Sequence, residues 1–450
     1  MRLLAVLVLA PLPLVTPRLR ASDEIEYFAY LRSAVFDHDL EFGNEYQHFY
    51  DQNPGGLRGF QQTFLVQRDP VTQRHINFGP IGSAVLWAPF YLTAHAGMLL
   101  ANALGLVPVP DGYGAPYVAA VCYGSAAYGF AGLLLIHGAL RRFGSFAEPA
   151  ASWSVAALWF GTPALYYMTL APGFAHANSL FAVSLMLWLW LRLRAGGRGA
   201  ARDWALVGAA GGLAALVREQ DALFLAVPAL HLAWESLRRR DLRGGAAGMA
   251  ALGGAALLVF VPQLLVYRTL YGHFGPSRIV TTKMDYTSPY ILAVLFDPGH
   301  GLFFWSPLLL AAAAGLALAV RRRADAPSLL LSFAVLAQAW ICGAIQTWTQ
   351  AGAFGSRRFV SASLPFAWGL AMLSTALFPR LAPRALAAAL LFFAWWNVSL
   401  MLQFGLRLMD RQRLEWPRVA INQFVEVPPR IARVARLFFT DRERLLHDGT

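Results

Sequence analysis

The residues best equipped for chemistry in this 450-residue chain stand in short polar stretches between long apolar ones. The first stretch reads Ser22-Asp23-Glu24-Ile25-Glu26-Tyr27, with Asp37, Asp39, Glu41 and Glu45 close behind. A carboxylate held against a bilayer surface, partly desolvated, is poised as a general base. The same residues also suit an ordinary helix start, with Ser22 as cap and Asp23 and Glu24 in the first turn. Both readings stay open on local sequence. Further on come His75-Ile76-Asn77-Phe78-Gly79-Pro80 and Ala171-Pro172-Gly173-Phe174-Ala175-His176. The polar turn Arg218-Glu219-Gln220-Asp221 and the run Gly355-Ser356-Arg357-Arg358 complete the set. A histidine or an Arg–Glu pair at a membrane boundary is commonly interfacial decoration. Convergence of such groups on one cavity marks function.

Positioning them requires membrane-spanning elements. The chain is 57% hydrophobic and 14% charged, against about 25% charged for a soluble domain. Apolar runs recur at 3–16, 79–105, 116–140, 149–171, 175–191, 203–217, 222–236, 246–270, 301–320, 328–348, 359–378 and 385–404. A run of about 20 apolar residues spans the hydrocarbon. The expected fold is therefore an all-α polytopic membrane protein. The net charge of +12 reflects arginine in cytoplasmic loops rather than nucleic-acid binding; Lys283 is the only lysine. Cys122 and Cys342 each sit in an apolar run and form no metal or disulfide pattern.

Arginine position sets the topology. Clusters at Arg141-Arg142, Arg192 to Arg202, Arg238 to Arg243, Arg321 to Arg323, and Arg380 with Arg384 are each separated by two apolar segments. All five can then be cytoplasmic together. A cytoplasmic Arg2 leaves one segment too many before Arg141. The run 79–105, which opens on Gly79-Pro80 and contains Pro89, is the one assigned to the outer surface as a juxtamembrane or re-entrant helix. About eleven spans remain. The first run is short, and a cleaved signal peptide is its rival reading; Leu19-Arg20-Ala21 fits a cleavage site poorly, which favours an uncleaved anchor or a truncated start. The expected organisation is one membrane domain over 1–404, its outer loop 17–78 carrying the acids, and a tail over 405–450 on the outer side.

With these positions in place, the chain resembles the GT-C glycosyltransferases that use polyprenyl-phosphate sugars, of the protein mannosyltransferase and aminoarabinose-transferase kind (glycosyltransferase family 39). Ser22 to Glu45, including Tyr27 after the Asp-Glu pair, is similar to that group's first outer loop. His75 to Pro89 resembles its second motif, usually Lys-Pro-Pro-Leu, with the lysine absent and Pro80 retained. Gly355 to Arg358 is similar to a Gly-x-Arg segment of bacterial relatives. The resemblance implies an inverting transfer of sugar from a polyprenyl phosphate to a hydroxyl of a lipid, glycan or protein, on the outer face of a bacterial inner membrane. It implies Asp23 as base, with Glu24 assisting or holding a divalent metal, the one cofactor it leaves room for. Arg218, Lys283, Arg357 and Arg358 become the candidates to meet the leaving phosphate. Tyr27, His75, Asn77 and His176 become substrate contacts, with His176 also open to a metal or a purely structural role.

Two other readings compete. An O-antigen ligase or polymerase would carry its arginines and histidine in a late loop, whereas here the acids come first. A transporter or flippase calls for mid-bilayer charges and inverted repeats; the charges here gather at segment ends. The chain also has no Gly-rich phosphate loop after a strand.

Overall fold

The computed structural model describes residues 11–57, 59–197 and 199–442. Within them there is no strand, only two isolated bridges. The loop 17–78 folds into α1 (Ser22–Arg32) and α2 (Gly43–Gln52). Then follow α3 (Gly82–Ala103), α4 (Ala115–Arg142), α5 (Glu148–Phe160), α6 (His176–Ala195) and α7 (Ala201–Val217). The second half holds α8 (Ala226–Arg239), α9 (Leu242–Tyr271), α10 (Pro307–Arg323), α11 (Ala326–Gly343), α12 (Ser363–Leu377), α13 (Pro383–Gly405) and α14 (Ile431–Thr440). Each apolar run from 79 onward is thus a helix. Most of the run 3–16 lies outside the described residues.

Among the described residues, six helices are long and apolar enough to cross a bilayer: α3, α4, α9, α11, α13, and α12 together with the turn Arg357–Ala362 that leads into it. The other apolar runs form helices of 13 to 20 residues. The chain is a multi-pass membrane protein. Local chemistry sets the helix ends. Proline opens α10 and α13, where its missing N–H costs nothing. The Asp241 and Asp325 carboxylates accept from Gly244 N–H and Ser328 N–H at the starts of α9 and α11. Gly272, at φ 76°, ends α9.

By contacts the chain forms two compact units. The first comprises residues up to 135 and 167–283, the second 136–166 and 284 onward. Within the first, α7 lies against α9 through Gly208 and Gly212. A Cβ on either would come within 2.0 Å of the Leu252 carbonyl oxygen and 2.5 Å of that of Ala256. This small-xxx-small spacing lets membrane helices touch backbone to backbone. Within the second, Gly315 of α10 meets Gly369 of α12 in the same way. Residues 405–427 are folded onto the second unit: Gln403 donates to Gln423 (2.8 Å), and the Leu414 N–H donates to the Gly299 carbonyl (2.7 Å).

The arginine clusters agree within each unit. Arg323 donates to the Gly144 carbonyl at 2.7 Å, which puts the 321–323 cluster beside the turn that follows Arg141-Arg142. In the first unit Arg194 and Arg239 line one cavity. Helix α3 is 22 residues long and apolar enough to span, so the run 79–105 is a candidate span rather than only a surface helix. Its start lies against Tyr27, and the loop after it returns to α1 and α2. Arg32 donates to the Asp111 carbonyl (3.2 Å), Tyr91 to that of Gly112 (2.9 Å), and Tyr113 stacks on His48.

Candidate active site

Helix α1 opens after an extended Ala21. Ser22 is therefore not its cap, as local sequence had suggested. The Glu24 carboxylate takes that role, its Oε2 accepting from the Arg20 (2.7 Å) and Ala21 (3.0 Å) backbone N–H groups. A glutamate three residues into a helix can reach back to the free N–H groups before it, which a serine inside the first turn cannot. Glu24 is 3% exposed, and Gly173 packs so closely that a Cβ there would sit 2.9 Å from its Oε1. Burial pushes this acid up to about 7 against the two backbone donors. Asp23, the residue before it, is half-exposed. Its charge raises both Glu24 and Glu26 further.

Glu26 lies one turn beyond Asp23, so the two share a helix face. It is 3% exposed, with Oε2 accepting from the backbone N–H groups of Phe78 (2.5 Å) and Gly79 (2.9 Å). Burial drives its acid well above the usual carboxylate range. The segment 75–82 is tied down along its whole length. Asn77 donates to the Glu26 carbonyl (2.9 Å) and accepts from Gly79 N–H. Tyr30, Tyr46 and Tyr271 donate to the carbonyls of Gly79, Ile76 and Asn77, and Gln263 accepts from Ile81 N–H. Gly82 then meets the Leu216–Val217 backbone, 2.3 Å from where its Cβ would be, so no other residue fits there. Tyr27 packs edge-on to Trp87 beneath Gly79. His75 is buried, its Nδ1 donating to the Glu41 carboxylate, which also draws Arg74.

The contact at Gly82 delivers the turn after α7 to the same place. Arg218 is half-exposed; it donates to His176 Nδ1 at 2.7 Å and to Gln220 Oε1 at 3.1 Å. The ring nitrogen facing it must carry a lone pair, so His176 acts there as an acceptor. Phe174 stacks on the same imidazole. Asp221 is fully buried and accepts from Ser179 (2.5 Å). Glu219 accepts from the Tyr267 hydroxyl, and burial raises it to about 7. The first unit therefore gathers Asp23, Glu24, Glu26, Tyr27, Asn77, His176, Arg218 and Glu219 around the segment 75–82. Glu26 and Glu219 stood in the polar stretches without an assigned role, and Tyr271 is a contributor that the sequence alone did not mark.

Lys283 is exposed, two residues beyond the short helix Arg278–Thr281. Arg357 and Arg358 belong to the second unit, at the turn before α12, where the Arg358 carbonyl accepts from Gln338 (2.7 Å). Their charges act on His300, which is 2% exposed and donates from Nδ1 to the Gln412 carbonyl (3.0 Å). Burial holds that imidazole below its ordinary value.

Among the described residues no three His, Cys, Asp or Glu side chains converge in a way that could hold a metal ion. Glu24, the expected ligand, already has one oxygen bound to two backbone donors. The donor set does not fit a divalent metal, and no step is routed through one.

No protein-family model matches this sequence, and no curated protein matches it. Among solved structures, ArnT from Cupriavidus metallidurans, crystallised with undecaprenyl phosphate, is similar over 100% of this chain and 72% of its own. The identity is 16% and the TM-score 0.49.

Proposed function

We propose that this chain is an inverting glycosyltransferase that moves a sugar from a polyprenyl phosphate to a hydroxyl acceptor at the outer face of a bacterial inner membrane. The observation that carries the reading is the division of labour around the segment 75–82. Buried acids (Glu24, Glu26) hold backbone in place, while Asp23 alone among the α1 acids faces outward. The half-exposed Arg218 stands at the turn packed on that segment. The motif resemblance of residues 22–45, 75–89 and 355–358 supplies the reaction class.

In this scheme Asp23 takes the acceptor's proton as its oxygen bonds to the anomeric carbon. The bond from that carbon to the phosphate oxygen breaks, and the phosphate leaves with both electrons. Arg218 meets the charge that develops there, held in orientation by His176 and Gln220. Lys283, Arg357 and Arg358 are the other cationic candidates for the donor, and Tyr27, Asn77, His75 and His176 for substrate contact or support. The test is sugar transfer from a polyprenyl-phosphate donor in proteoliposomes. Transfer by the native chain and its loss in Asp23→Asn is the expected result. Unchanged transfer in the variant removes Asp23 as base, and movement of substrate across sealed vesicles without transfer replaces the enzyme by a transporter.

A further inference from the structure

The first unit has a second polar centre at its other end. Helices α6 and α7 connect the two: His176 and Arg218 lie at one end of the pair, Arg194 and Trp204 at the other. Eighteen residues of α6 separate His176 from Arg194, about 27 Å at 1.5 Å per residue, close to the thickness of the hydrocarbon. There a cavity of about 590 Å³ opens between α6, α7, α8 and the start of α9. Its lining includes Arg194, Arg239, His231, Ser236, Trp204 and Glu235.

Three features give this cavity a ligand chemistry. His231 lines it at 7% exposure, and its Nδ1 is buried with no hydrogen-bond partner. Such an atom is costly unless something completes it. Arg194 and Arg239 are the cations acting on that imidazole, and Glu235 the acid; Glu235 pairs with Arg239 at 2.7 Å. Asp241, the other lining acid, accepts from Gly244 N–H at the start of α9. The helix ends around it add Arg192, Arg202, Arg238 and Arg243, and the turn after α8 adds Arg240, with Asp203 as a nearby acid. Finally, the outward side of α8 beside the cavity is apolar, with Leu230, Trp234 and Leu237 from 45% to 65% exposed. A soluble anion has no use for that surface, whereas acyl chains do, and a tryptophan at this level is typical of a bilayer boundary.

We propose that this cavity binds the phosphate headgroup of an anionic phospholipid of the arginine-rich leaflet. Arg194 and Arg239 contact the phosphate, His231 completes its hydrogen bonds, and the lipid tails lie along Leu230 and Trp234. Basic pockets between helices on the cytoplasmic side are suited to such headgroups. The site is independent of the transfer reaction proposed at the other end.

The experiment is native mass spectrometry and thermal unfolding of the detergent-purified full chain. The probes are phosphatidylglycerol, phosphatidylcholine and inorganic phosphate. Phosphatidylglycerol should be retained and raise the melting temperature. The double variant Arg194→Ala/Arg239→Ala should weaken retention about tenfold, the loss of one charge-assisted contact or more. His231→Gln, a milder change, guards against a folding failure and should weaken it by a smaller factor. Arg321→Ala, a cluster arginine of the second unit, should leave it unchanged. Equal retention by the native chain and the double variant overturns the site, as does retention of phosphatidylcholine equal to that of phosphatidylglycerol. Binding of inorganic phosphate without phosphatidylglycerol overturns the lipid as its ligand.

Discussion

The polar ends of the two units meet the cost of burying charge in different ways. In the first unit the groups taken out of water are carboxylic acids: Glu24, Glu26 and Asp221, which are buried, and Glu219, which is half-buried. An acid in an apolar setting can lower its cost by taking up a proton, and Glu24 and Glu219 are raised to about 7 by burial. In the second unit the groups are Arg357 and Arg358 beside the buried His300. A guanidinium keeps its charge in any protein setting, so this end stays cationic, and burial holds its imidazole below the ordinary value. The first unit is therefore the one able to exchange protons near neutral pH. The second offers fixed positive charge. In the proposed transfer the fixed charge that meets the phosphate is Arg218, which stands among the acids of the first unit, with Arg357 and Arg358 as its rivals.

The sharpest way to break this contrast is Asp23→Asn. The carbonyl left behind cannot take a proton at neutral pH, so transfer should fall about 10²–10⁴-fold with donor affinity retained. Steady-state rates together with donor binding would check it. A loss confined to binding would move Asp23 from chemistry to recognition. Next in size is Arg218→Ala, for which kcat should drop about 10²–10³-fold if the guanidinium stabilises the departing phosphate. Arg218→Lys should recover only part of this, because an ammonium cannot hold His176 and Gln220 together as the planar fork does. Should Arg358→Ala lose as much rate as Arg218→Ala, the charge that meets the phosphate would not come chiefly from Arg218 of the first unit.

Much of this was legible in the amino-acid order. Runs of apolar residues between arginine clusters marked each helix from α3 to α13, because hydrocarbon thickness and loop charge act on composition directly. The topology also leads us to expect His75 and Pro80 near Asp23, and the structure does tie the segment 75–82 to α1, through Glu26. What stayed hidden depends on backbone groups that have no letter in the sequence. Nothing in the order of residues shows that Glu26 reaches the Phe78 and Gly79 N–H groups 52 and 53 positions away. Ser22 looked like the natural cap, yet Glu24 does the work, because α1 starts one residue earlier than the serine's chemistry suggests. His300 carried no signal at all: its partner is a carbonyl 112 residues later.

Stability against pH gives a third test, with opposite signs in the two units. Glu24 has a folded value of about 7 against an ordinary 4.5, so the folded chain binds this proton more tightly than the unfolded one. Its contribution is complete below 4.5 and is lost as pH rises through about 7, an effect of about 3 kcal/mol at most. His300 is depressed, so its contribution is present above 6.5 and is lost as pH falls through its folded value. Hydrogen exchange followed peptide by peptide should show residues 22–32 loosening between pH 5 and 8, and residues 296–305 tightening. Glu24→Gln, neutral throughout, should flatten only the first response. The same slope in both regions would erase the distinction drawn between the units.

The smallest expected effect concerns Glu26, which holds two backbone donors and touches no reacting atom. Glu26→Gln keeps a carbonyl oxygen for the Phe78 and Gly79 N–H groups and should leave transfer within a few-fold of the native rate. Glu26→Ala leaves both donors buried without an acceptor, at about 1–3 kcal/mol in stability. The activity it loses should return as the temperature is lowered, because the segment 75–82 is loosened rather than stripped of a reacting group. If Gln proves as damaging to kcat as Asp23→Asn while the melting temperature holds, the proton on Glu26 takes part in the reaction. Proton exchange in the first unit would then involve a coupled pair of carboxyl groups on one face of α1 instead of Asp23 alone.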